Sequence, residues 1–142
     1  AMSFEIVKRE SADFGGLVLP RTELSSTADS TDLMKFTRER IQQRGTAELI
    51  TVYVAVPDLG WTAVIGYRCT DLGQLAVGDV LVRVPAGYFA RFTPDGRSSD
   101  PIEDVWIQAE LAEKEGRIER AYAEEIEVFR APSSVELFIS LA

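Results

Sequence analysis

The order of secondary-structure signals along this chain is stated twice, and that repeat limits the folds open to it. FEIVKRES and ADFGGLVLP are two β-rich runs split by polar residues, readable as strand, turn and strand. A polar stretch leads into TDLMKFTRERIQQRG, where Leu33, Met34, Thr37 and Ile41 share a helical face with Phe36 on its flank. Ser30 stands where an N-cap belongs, and Gly45 where a helix would end. AELITVYVAV and WTAVIGYRCT follow as two strands joined through the turn-type PDLG. After DLGQLAVG the pattern restarts. GDVLVRVPAGYFARFTP is a two-strand opening bent at Pro85-Ala86-Gly87. DPIEDVWIQAELAEKEG is a helix with Asp100 as N-cap, Pro101 at its first position and Gly116 at its close. Its apolar stripe is Ile102, Val105, Trp106, Ala109 and Ala112. EEIEVFR and SVELFISLA then form a hairpin across Ala-Pro-Ser-Ser.

Residue identity between the halves is weak, so the repeat is one of architecture. The expected fold is α+β, with duplicated strand–helix–strand–strand modules forming a curved antiparallel sheet. Both helices are expected on one face. A single domain over residues 2–142 is expected, with pseudo-repeats at about 2–70 and 79–142. Two helices cannot cover both faces of so large a sheet. The uncovered face is therefore expected to curve into a cleft between the halves, a common place for a ligand.

Composition narrows the chemistry. The 15 basic and 23 acidic residues leave a formal charge of −8 without any Lys/Arg block, so nothing suggests a footprint on nucleic-acid phosphates. No apolar run approaches the length of a membrane span. The chain has no histidine, which removes Ser-His-Asp catalysis and the usual zinc sites. Its one cysteine, Cys69, cannot form an intrachain disulfide and reads as a packing residue, with a cytoplasmic location expected. The glycine pair Gly15-Gly16 reads as a backbone feature, not a phosphate loop, because no GK[ST] helix follows it.

One strand-like stretch is unusual in its acidity. EEIEVFR sets Ile126 and Val128 on one face and Glu125, Glu127 and Phe129 on the other. Glutamate is depleted in strands, and a carboxylate among rings is costly if its face is covered. Glu127 is either charge on a wet face or the counter-charge for something bound, while Glu125 on the same face is a second acid or, the preferred reading, the wet end of such a cleft.

The tract PAGYFARF, the I-x-x-V-W helix, IEVF and the closing VELFISL, taken in order, resemble the GyrI-like effector-binding domain. The match is carried by the second half; the first half fits by element order. The resemblance implies a domain that binds small molecules in a cleft between its halves. Relatives are drug-sensing parts of transcription regulators or stand-alone proteins, among them multidrug binders on mobile gene cassettes. In the drug binders a glutamate on the penultimate strand faces lipophilic cations among aromatic rings, and Glu127 falls on that position. The chain departs from the pattern in having Phe89 where relatives often carry tyrosine, with Tyr88 one place earlier, and Ser140 where they carry proline.

The resemblance thus implies a binder of lipophilic, cationic small molecules, and a stand-alone form is expected because no helix-turn-helix pattern precedes the repeat. Glu127 is the expected charge. The expected aromatic contacts are Trp61, Tyr53, Phe89, Phe129, Trp106, Tyr88, Tyr67 and Phe36, with Phe89 the family-matched choice over Tyr88, and with Trp106, on the apolar helical stripe, more readable as core than as contact. No cofactor or metal is expected and no catalytic residue is assigned. Direct binding to nucleic acid or membrane is not expected, and a homodimer is left open. Two rival functions stand beside this one: hydrolysis of strained, cyclopropanoid electrophiles with Glu127 as general base and a tyrosine as acid, and a protein-interaction module such as a gyrase modulator.

Overall fold

Among the described residues, the β-branched and aromatic runs become eight strands in a single sheet in which every pairing is antiparallel. The computed structural model describes residues 4–22, 28–44, 48–56, 60–130 and 134–142, with side chains at 20–22, 28–34, 56 and 60 outside that set. The first half contains β1 (Phe4–Arg9), β2 (Ala12–Thr22), α1 (Ala28–Gln42), β3 (Leu49–Val56) and β4 (Gly60–Arg68). The second contains β5 (Val80–Val84), β6 (Gly87–Phe92), α2 (Pro101–Lys114), β7 (Arg120–Arg130) and β8 (Ser134–Leu141). A short helical turn at Leu72–Gln74 lies between them. The expected α+β class, with two helices on one face of a curved antiparallel sheet, is the observed one.

The sheet order is β1-β6-β8-β7-β3-β4-β2-β5. Exchanging each element for its counterpart in the other half gives the same order read backwards, with β3 and β7 paired at the centre.

The two opening strand pairs are not hairpins, contrary to the sequence expectation. β1 and β2 lie near opposite ends of the sheet, and each pairs with the other half instead. One unbroken register runs from Phe4↔Phe92 through Arg9↔Gly87 to Ala12↔Val84 and Gly16↔Val80. β1–β2 and β5–β6 are therefore a single two-stranded ribbon, bent at residues 10–11 and 85–86, that ties the halves together. Gly16 and Gly66 are paired where β2 crosses β4. A Cβ on Gly66 would lie 1.9 Å from the Gly15 carbonyl oxygen, so the backbones meet at a distance only glycine allows there.

The ribbon also decides what becomes of the face without helices. Because it folds over, Val7 of β1 and Val82 and Val84 of β5 join one cluster with Phe14, Ile50, Val52, Phe89, Ile126, Val128 and Phe138. That face is thus filled, among the described residues, by its own apolar side chains, where the sequence suggested a cleft. Each large side chain so buried contributes roughly 1.5–3 kcal/mol.

On the opposite face each helix packs on the strands of its own half, α1 on β2, β3 and β4 and α2 on β6 and β8. α2 is capped by the Asp100 carboxylate, which accepts from the Ile102 N–H at 3.0 Å, and has Pro101 at its start. It lays Val105, Ala109 and Ala112 on Ala90, Phe92, Leu137 and Ile139. α1 lays Ile41 on Leu49, Ala63 and Ile65. α1 starts at Ala28, so Ser30 lies inside its first turn and is not the cap. Gly45 and most of the PDLG and Ala-Pro-Ser-Ser turns lie outside the described residues, as do the side chains of Leu33 and Met34. Trp106 and Phe129 pack against both helical clusters and so mark the seam between the halves.

Candidate functional site

β3 and β7 run beneath that seam, and their alternation decides which side chains face it. Leu49, Thr51 and Tyr53 of β3 stand opposite Phe129, Glu127 and Glu125 of β7. All six share the helical face. A carboxylate at the middle of a sheet and under two helices has to find donors, because burying it unpaired is costly.

Glu127 is only 1% exposed and is held from both sides. The Trp106 indole N–H of α2 donates to Oε1 at 2.8 Å, and the Arg38 guanidinium of α1 donates to Oε2 at 2.9 Å. One carboxylate therefore bridges the two helices. The Tyr53 ring meets Trp106 edge to face, with centroids 5.3 Å apart. Burial pushes the Tyr53 phenol well above its ordinary range, the Glu127 charge pushes it the same way, and Arg38 offsets part of this. Tyr53 is thus a neutral hydroxyl. For Arg38, burial opposes the charged form, and Glu127 outweighs it and holds the guanidinium charged. Two polar atoms at this place have no hydrogen-bond partner among the described residues: Arg38 Nε and Thr51 Oγ1.

Glu125 is not at a wet end. It is 0% exposed, and Arg120 grips it with Nε at 2.9 Å and Nη2 at 2.6 and 2.7 Å. The register of β7 shifts between Arg120 and Glu125, which is what lets a residue of the same strand reach back to its carboxylate. Tyr122 lies in that bulge at a φ of +54°. Its ring receives the Arg120 guanidinium at 4.6 Å, and its hydroxyl donates to Glu113 of α2. Trp61, at the start of β4, lies 6.5 Å from the Tyr122 ring. The floor of the seam is thus two carboxylates, each with its own arginine, bordered by Tyr53, Trp106, Trp61 and Tyr122.

Of the residues singled out from the sequence, the structure brings Glu127, Tyr53 and Trp106 into contact, sets Phe129 next along the same face, and places Trp61 at the border. The other four lie elsewhere. Phe89 is 2% exposed in the opposite face's core, because only even-numbered residues of β6, Ala90 and Phe92, point to the helices. Tyr88 has the helical parity but is 58% exposed beside β1, at the sheet edge. The Tyr67 hydroxyl donates to Asp79 at 2.7 Å and accepts from the Ala76 N–H at 3.1 Å, which pins the loop after β4. Phe36 is 59% exposed on the outer side of α1. Arg38 and Arg120 are not among the residues expected from the sequence, and Tyr122 is expected only as one of the chain's tyrosines that could act as an acid. Arg38 was findable, since it precedes Ile41 by three residues and so falls on the buried helical stripe.

No family model matches the chain, and no curated protein matches it by sequence. Solved structures do match its fold over nearly its whole length. SAV2435 bound to tetraphenylphosphonium superposes with a TM-score of 0.76 at 9% identity, covering 99% of this chain and 94% of that one. A putative bacterial transcription regulation protein from Staphylococcus aureus MU50 gives 0.71 at 9% identity, covering 99% of both. An integron cassette protein from the mobile metagenome of Vibrio cholerae gives 0.70 at 16% identity, covering 98% and 95%. At these identities the likeness shows a shared fold, one that in a solved example holds a lipophilic cation.

Proposed function

We propose that the chain is a GyrI-like small-molecule-binding domain whose ligand is a lipophilic cation, seated between α1 and α2 against Glu127. The observation that carries this reading is the carboxylate itself, buried at the centre of the helical face with aromatic rings on its rim. A carboxylate so placed has lost its water, and a cation reaching it gains Coulomb energy and attraction to the ring faces together. The shared fold with a tetraphenylphosphonium complex supports the same ligand class. Charge and flat rings recognise a ligand without many directional bonds, so specificity is broad. A hydrolytic role fits less well, because each Glu127 oxygen already accepts from a protein donor, Oε1 from Trp106 and Oε2 from Arg38.

Fluorescence titration with a lipophilic cationic dye, on the wild type and Glu127→Gln, tests the reading. The variant should bind at least about tenfold more weakly, the scale of a lost charge-assisted contact. Equal affinity in the two proteins would rule out Glu127 as the counter-charge.

A further inference from the structure

Glu127 already has a cation. Resting on the binding function proposed above, we infer that Arg38 is a tethered competitor for the ligand site: its guanidinium holds Glu127 closed, and a cationic ligand binds by exchanging with it.

Three features of the geometry point this way. The guanidinium is itself a flat, delocalised and weakly hydrated cation. It occupies the place that a lipophilic cation would take, on the Glu127 carboxylate beside Tyr53 and Trp106. The pair is also incompletely satisfied, since Arg38 Nε and the neighbouring Thr51 hydroxyl have no partner among the described residues. Displacing such an arginine forfeits less than displacing one whose donors are all used. Finally, Arg38 has somewhere to go. Its side chain is 20% exposed although Nε itself is buried, so part of the residue already reaches solvent. Among the described side chains of α1 only Thr37 and Ile41 are buried, whereas Lys35, Phe36, Glu39, Arg40 and Gln42 are exposed.

Exchange has two consequences. Arg38 sets a threshold that weakly held cations do not pass, which makes it a specificity-determining residue. It also couples the ligand to α1, because the bond between α1 and β7 is broken when the ligand binds.

The test uses tetraphenylphosphonium as the cation and triphenylphosphine oxide as an uncharged three-ring control, each titrated against the wild type and Arg38→Gln. The variant should bind the cation about tenfold or more tightly, with the neutral probe changed by less than about threefold. Amide hydrogen exchange on the wild type gives a second measure that does not depend on the variant's folding: residues 35–42 should lose protection when the cation binds, and not when the neutral probe does. Cation affinity that is unchanged or weaker in Arg38→Gln overturns the proposal, as does protection gained by α1. A wild type that prefers the phosphine oxide, and loses that preference in the variant, also overturns it, making Arg38 a donor to acceptor-bearing ligands. Absence of cation binding by both proteins would remove the proposed function itself, and the competitor role with it. Binding without any Arg38 effect would remove only the latter.

Discussion

Trp106 joins two demands that usually fall on separate residues. Its ring packs against both helical clusters, and its one polar atom closes the hydrogen-bond shell of Glu127 at 2.8 Å. Phenylalanine could supply the apolar surface and not the donor. Trp106→Phe should therefore leave Glu127 Oε1 buried without a partner and lower stability by about 1–3 kcal/mol. In a urea titration this appears as a lower midpoint with an unchanged slope. A midpoint equal to the wild type's would mean that the indole bond is replaced at no cost, and that Glu127 is held in place by Arg38 alone.

At the scale of elements, α2 is tied down by charge as well as by its apolar stripe. The Asp104 carboxylate accepts from the N–H groups of Gly96 at 2.8 Å and Arg97 at 2.9 Å, from that of Asp95 at 3.2 Å, and from the Gln108 amide at 2.8 Å. Burial alone would raise this carboxyl, but the donors outweigh it and hold it below the ordinary carboxylate range. The folded pKa is below the unfolded one. Asp104 therefore contributes stability at pH values above the unfolded value of about 3.9, and that contribution is lost as pH falls through the folded value. Asp104→Asn should cost about 1–3 kcal/mol near neutrality and flatten the acid side of the stability-versus-pH curve, read from urea midpoints. An acid limb as steep as the wild type's would assign the acid loss to other carboxylates.

Elements of this kind were legible because their signals are local. The Asp100 cap, the Pro101 start and the spacing of Val105, Ala109 and Ala112 all lie within one helix. Partner choice was not legible. β1 and β2 read as a hairpin from their own residues, yet Ala12 pairs with Val84 and Phe4 with Phe92, contacts that depend on the other half of the chain. The same non-locality hid the Arg38–Glu127 bond, which spans 89 positions, although the helical spacing of Arg38 and Ile41 was already on view. Phe89 was misplaced for a narrower reason. Whether an odd or an even residue of β6 faces the helices is set by register, and a one-residue change in register exchanges the two faces.

For the molecule as a whole, the bent ribbon separates two tasks by face. The face it closes is an apolar core drawn from both halves, and the face under the helices carries the buried charges. A consequence is that stability and ligand affinity should be separable by mutation. Phe89 is the sharpest test, because it was expected in the ligand site and lies in the other core, packed with Val7, Val84 and Phe138. Phe89→Ala removes a fully buried ring where ribbon and sheet meet, and should lower stability by about 3–5 kcal/mol in urea denaturation. The fraction that remains folded should still bind a cationic dye within about threefold of the wild type, since no atom facing Glu127 has changed. If the affinity falls with the stability, the two faces are coupled through the sheet. A loss of affinity with little loss of stability would instead return Phe89 to the ligand site and contradict the face assignment made from the register of β6 and β8.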